Sequence, residues 1–154
     1  MTEIRFYHLQ TEPLEKALPK LLLKAYGAGK KIIIRGENDQ QIQQLDTILW
    51  TFHPNHFLPH GSKKTSKHAA LQPIWLTTGT DNPNAADTLI LATRGADIAD
   101  DLKEFALVCD MFNGFDEASV TAARARWKAC KAAGFDLTYW QQTETGGWDE
   151  KAKA

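Results

Sequence analysis

Lys30-Lys31-Ile32-Ile33-Ile34-Arg35 sets three consecutive β-branched residues between charged ends. Side chains alternate across a strand, so a short apolar run without alternation is one buried on both faces. That is the pattern of a parallel strand covered by helices. Asp87–Thr93, holding Thr-Leu-Ile-Leu-Ala-Thr, repeats it. On either side of the first run the period becomes helical. Leu14, Ala17, Leu18, Leu21, Leu22 and Ala25 recur at helical spacing over Glu12–Tyr26. Thr11 is placed to cap this helix, Pro13 suits its first turn, and Gly27 and Gly29 stop it. Asn38 or Asp39 starts a second helix that presents Ile42, Leu45, Ile48 and Leu49 and runs to Trp50.

Further out, Ile4–Leu9, Gln72–Thr78, Val108–Phe112 and Leu137–Gln141 read as strands, and Ile98–Leu107 and Glu117–Ala132 as helices, the latter stopped by Gly134. Strands alternating with helices predict an α/β layer fold with a largely parallel sheet. Residues 51–70 carry Pro54, Pro59, Gly61, four histidines and three lysines, and read as a loop with an extended piece at Phe57–His60. Asp81-Asn82-Pro83-Asn84 is a turn. No repeat or linker divides the chain. Residues 1–142 are expected to form one domain, and the polar extension 143–154 to fray.

Composition narrows the classes. With 154 residues, 43% hydrophobic and 24% charged, the chain is neither disordered nor low-complexity. A chain of this size buries roughly 68–70% of its unfolded surface, enough for a core without metals or disulfides. Lys and Arg number 18 against 19 Asp and Glu, a net charge of −1. Broad nucleic-acid binding needs a basic surface, so work near DNA would go through a local patch or a protein partner. Cys109 and Cys130 are far apart, without a CxxC, and read as reduced thiols. There is no signal-like N-terminus and no run of about 18 apolar residues. A cytoplasmic protein is expected.

Most catalytic motifs are missing. Gly27-Ala28-Gly29-Lys30 glances at a phosphate-binding loop, but the first Gly of that motif is replaced by Lys24 and its Ser/Thr by Lys31. The stretch also leaves a helix and enters a strand, the reverse order, so a helix stop is the better reading. His53, His56 and His60 are separated by Pro54 and Pro59 and do not share a helix face, and no Cys or acidic cluster adjoins them. Ser62, Ser66 and Ser119 sit in no nucleophile elbow. Asp97, Asp100, Asp101 and Glu104 suit a helix start. No catalytic residue, cofactor or metal is expected.

Two segments remain as candidate surfaces. Residues 118–135 carry Arg124, Arg126, Lys128 and Lys131 and no acid, a local charge of +4, whereas residues 97–117 carry seven acids and Lys103. Arg124, Lys128 and Lys131, at i, i+4 and i+7, line one helix face. Trp127 lies beside them. A basic stripe edged by an indole suits a carboxylate joined to an apolar side chain. The same bases near a helix C-terminus also complement the macrodipole, and Trp127 suits a core. The second segment runs from Leu49-Trp50-Thr51-Phe52 to Phe57-Leu58-Pro59-His60, aromatic and Pro-rich at a helix exit. It fits core packing or interface anchors.

Along these stretches the chain resembles the chi subunit of the bacterial DNA polymerase III holoenzyme. The matching segments are Phe6-Tyr7-His8-Leu9, Gly29-Lys30-Lys31, Leu45-Asp46-Thr47-Ile48-Leu49-Trp50, Phe57-Leu58-Pro59-His60, Gln72-Pro73-Ile74, Ala123-Arg124-Ala125-Arg126-Trp127-Lys128 and Ala133-Gly134-Phe135. They stand in order from residue 6 to about 141. The resemblance implies a Rossmann-like three-layer α/β fold without a nucleotide site. It also implies a non-catalytic accessory protein, held in the clamp loader by the psi subunit and gripping the acidic C-terminal tail of single-stranded DNA-binding protein. The tail site carried over is Val120, Arg124, Trp127 and Lys128, with Lys131 replacing the charge that the family has at the position of Val120. The psi surface carried over is Trp50 and Phe57 with Pro59 and His60. Two other readings stand beside it: an α/β nucleotide-binding protein or enzyme of unrecognised type, and a direct single-strand binder using Lys63, Lys64 and Lys67.

Overall fold

The structure, a computed structural model, describes residues 2–92 and 95–154. Eight strands form one sheet: β1 (Glu3–Leu9), β2 (Ile32–Arg35), β3 (Gly61–Ser62), β4 (Ile74–Thr77), β5 (Thr88–Leu91), β6 (Leu107–Asn113), β7 (Asp136–Gln142) and β8 (Trp148–Lys153). Their spatial order is β3-β4-β2-β5-β6-β1-β7-β8. Every pairing is parallel except β7–β8. Helices α1 (Leu14–Gly27) and α2 (Asp39–Thr51) pack together on one face, and α3 (Glu117–Ala132) covers β6 and β7 on the other. The result is the α/β layer fold with a largely parallel sheet expected from the alternating pattern, in the three-layer form that the resemblance implies.

The non-alternating runs behave as read. All four residues of β2 and all four of β5 are buried, because helices or loops cover both sheet faces. Thr93, the last residue of the second run, lies outside the described residues. Strand β1 divides its side chains by parity. Tyr7 and Leu9 join the core beneath α1 and α2, and Ile4 and Phe6 join the core beneath α3. Asn38 caps α2 by accepting the Gln41 N–H at 2.8 Å. Gly29, at φ +78°, ends α1 with its N–H on the Tyr26 carbonyl. The Gly-Ala-Gly-Lys stretch is therefore a helix stop.

Three local readings are corrected. Thr11 does not cap α1; its hydroxyl donates to the Thr143 carbonyl, and Gln142 Oε1 accepts the N–H groups of Gln10, Thr11 and Glu12. Residues 98–106 hold only a 3-10 turn at Leu102–Glu104, with Asp101 drawn off to Arg35, and Leu107 already belongs to β6. Phe57–His60 lies in the loop, as read, and leads into the short strand at Gly61. Residues 148–153 do not fray but form β8, and the Trp148 ring meets Tyr7 edge-on at 4.9 Å. An antiparallel edge strand anchored by a buried-side indole stays in place despite its polar outer face.

No helix among the described residues is long and apolar enough to cross a membrane.

Candidate functional site

The helix with four bases resolves into two kinds of side chain. Arg126 turns inward and is 2% exposed. Its guanidinium forks onto Asp110 of β6 at 2.6 and 3.0 Å and donates a third bond to the Gly95 carbonyl at 2.6 Å. It is an internal ion pair and adds nothing to a ligand surface. Arg124, Lys128 and Lys131 stay exposed, as their i, i+4, i+7 spacing requires.

Trp127 is half-buried beside that stripe. Its ring meets Phe6 at 5.3 Å and Tyr139 at 6.4 Å, both edge-on. Val120, one turn before Arg124, packs on the same core cluster as Trp127 and Tyr139. The indole thus packs where α3 meets β7, with its partly exposed side next to the basic stripe.

Two polar neighbours of the indole on this surface were not singled out from the sequence. His8 of β1 and Tyr139 of β7 face α3, with His8 Nδ1 hydrogen-bonded to the Tyr139 hydroxyl. The His8 ring lies 4.8 Å from Phe112. Burial, and secondarily the Arg124 cation, lower the His8 pKa below its ordinary value. Burial raises that of the Tyr139 hydroxyl, and Arg124 opposes the rise. The same cation therefore acts on both groups, so Arg124 lies close enough to the His8–Tyr139 pair to bias its charge. A Cβ on Gly114 would come within 2.3 Å of both His8 Cδ2 and the Leu9 carbonyl oxygen, so only glycine lets the turn after β6 pass so close. The signal for this pair was the period-two placement of His8 after Ile4 and Phe6. It becomes usable only once β1 is known to pair with β7.

The second surface lies at the exit of α2. Trp50 is 55% exposed and Phe57 59%, with ring centroids 5.3 Å apart. Two solvated rings of this size in contact form an exposed apolar patch at the exit of α2. His60 is buried beneath them, its ring 5.0 Å from Trp50. Its Nδ1 lies 2.6 Å from the Leu58 carbonyl oxygen, and Nε2 lies 3.1 Å from Asp46 Oδ1, an ion-pair distance without hydrogen-bond alignment. His60 supports the loop from below. Pro59 is half-buried between the two levels.

A cavity of about 620 Å³ opens at the carboxyl ends of the parallel strands, where a doubly wound fold would take a nucleotide. Glu15, Glu37 and Asp116 line it. Among its described lining residues Arg126 is the one cation, and Asp110 already holds that guanidinium. This lining is poor for phosphate. No group of three or more His, Cys, Asp or Glu suited to a metal occurs among the described residues. Burial pushes the Cys109 thiol up to about 12 and Cys130 to about 11, so neither supplies a thiolate near neutral pH.

The family model for the DNA polymerase III chi subunit, HolC, matches residues 1–138. The chain belongs to the DNA polymerase III chi subunit family. Chi-family proteins similar to it include the DNA polymerase III subunit chi of Haemophilus influenzae, 30% identical over 83% of this chain and 87% of that protein. The DNA polymerase III subunit chi of Escherichia coli is 24% identical over 80% of this chain and 82% of its own. A Rickettsia prowazekii protein named as a probable DNA polymerase III subunit chi is 35% identical over 59% of this chain; that match spans about half of the relative, 54% of its length. Membership in the chi family makes the chain a replication accessory subunit of DNA polymerase III.

Proposed function

We propose that this chi-family chain is a non-catalytic adaptor that joins the clamp loader, through psi, to the acidic C-terminal tail of single-stranded DNA-binding protein, and that it works in the cytoplasm. The observation that carries the reading is the surface where α3 meets β7. Exposed Arg124 and Lys128 flank the partly buried rings of Trp127 and Tyr139, and Tyr139 is bonded to His8. A peptide ending in aspartates and a Phe carboxylate asks for a forked donor, further positive charge and an apolar contact. This surface supplies all three. Val120 offers packing where the family has a base, and Lys131 lies one turn beyond Trp127 to restore the charge.

The Trp50–Phe57 pair supports the psi contact. Two exposed rings held by a buried histidine form a pre-ordered apolar anchor, which lowers the ordering cost of association. DNA is then reached through the tail, which is how a chain of net charge −1 works at single strands.

Calorimetry with a synthetic tail peptide tests the first contact. Micromolar affinity is expected, about −8 kcal/mol, weakening as salt rises. Arg124→Ala and Lys128→Ala should each weaken it with the fold unchanged. Unaltered affinity in both variants would remove this surface from consideration. Trp50→Ala should abolish co-purification with psi while tail binding persists, and retention of psi by that variant would refute the second contact.

A further inference from the structure

His8 sits on the surface where α3 meets β7. Its ring is half-buried, tilted against Phe112 at 4.8 Å, bonded through Nδ1 to Tyr139, and closed in by Gly114. The groups that face it are Arg124 from α3, Tyr139 from β7, and the uncharged Phe112 and Gly114 from β6 and its following turn. No acid offsets Arg124 among the groups acting on the ring, so in the free protein burial and the neighbouring cation both favour neutral imidazole.

We propose that the His8–Tyr139 pair makes this surface a proton-linked carboxylate site, in which a carboxylate docking beside Arg124 brings one proton onto His8. The proposal rests on the acidic-peptide reading of the surface. In the Nε2–H tautomer of the neutral ring, the one the proposal requires, Nδ1 accepts the Tyr139 O–H. A solvent proton added to Nδ1 reverses that bond: the new N–H donates to the phenol oxygen. The phenolic hydrogen is released to donate to the carboxylate. One N–H bond forms, no other covalent bond changes, and the proton returns to solvent when the ligand leaves. The ligand's negative charge offsets Arg124, the neighbour that disfavoured the imidazolium, so docking and protonation favour each other.

The sign follows from linkage. Binding takes up protons, so affinity rises as pH falls through the range around and below 6.5, the ordinary histidine value. Aspartate and terminal carboxylates keep their charge above about pH 5, so the peptide's own titration does not produce the rise. One proton limits the gain to about tenfold per pH unit.

Calorimetry with an acidic peptide ending in Asp and Phe, at pH 5.5 and 7.5 and in two buffers of different ionisation heat, reads the effect. Binding at pH 5.5 should be about three- to tenfold tighter than at pH 7.5, with up to about one proton taken up per peptide. His8→Leu keeps the apolar bulk and should remove both the uptake and the pH ratio while still binding at pH 7.5. Tyr139→Phe should lose affinity mainly at pH 5.5. A wild-type pH ratio equal to that of His8→Leu overturns the proposal and leaves the acidic-peptide reading standing. Absence of binding at every pH overturns both. The His8 imidazole titration, followed by NMR in the unmodified protein, tests the linkage without a variant. Its midpoint should rise on adding peptide, and an unmoved midpoint overturns the proposal.

Discussion

Replacing Arg126 by alanine leaves the Asp110 carboxylate 2% exposed in the parent fold, stripped of both guanidinium bonds. Breaking one side of a buried ion pair costs about 3–5 kcal/mol, because the remaining charge has lost its partner and has no water to replace it. The Gly95 carbonyl also loses its donor. Against a total stability of about 5–15 kcal/mol, that is a large fraction. For a chain of this length it corresponds to a fall in Tm of about 6–20 °C. Urea unfolding followed by far-UV dichroism measures it. Arg126→Met combined with Asp110→Leu should recover much of the loss, since it removes both charges and fills the volume. Arg124→Ala, two residues away and exposed, should shift stability by less than about 0.5 kcal/mol. A loss below about 1 kcal/mol for Arg126→Ala, or an equal loss for Arg124→Ala, would refute the assignment of one base to the core and the other to the surface.

Gly114→Ala drives a methyl within 2.3 Å of His8 Cδ2 and the Leu9 carbonyl oxygen, and should cost about 1–3 kcal/mol with a matching loss of tail binding. A neutral result in thermal unfolding would mean the turn yields freely. Removing residues 148–154 uncovers the edge of β7 and the Trp148 contact on Tyr7, and should lower Tm and promote association on gel filtration. An unchanged Tm and a monomeric profile would contradict a structural role for β8. Cys109 should resist thiol reagents in the native protein, being buried and pushed up to about 12. Between about pH 9 and 12 the unfolded chain releases a proton that the folded thiol keeps, so stability should fall as pH rises through that window. Rapid native labelling at pH 8 would refute this burial.

The layer order was legible because it rests on local signals. Ile32–Ile34 and Leu89–Leu91 lack alternation, and α3 spans Glu117–Ala132 as its spacing predicts. The exposed rings of Trp50 and Phe57 were legible as an aromatic segment, but their solvation was not. A core ring and an interface ring read alike until neighbouring layers are placed. The 98–107 helix failed for a related reason: Asp101 stabilises a helix start in isolation, yet Arg35, 66 residues away in sequence, claims it.

The sequence by itself determined the class of fold, the helix that carries the bases and the spacing that lines three of them on one face, because periodicity and caps act within a few residues. Only the tertiary structure decided that Arg126 pairs with Asp110 and that the tail becomes β8. It also decided that His8 meets Tyr139 across 131 residues of chain. Those outcomes depend on strand pairing, which brings distant residues into contact and leaves little trace in either segment alone.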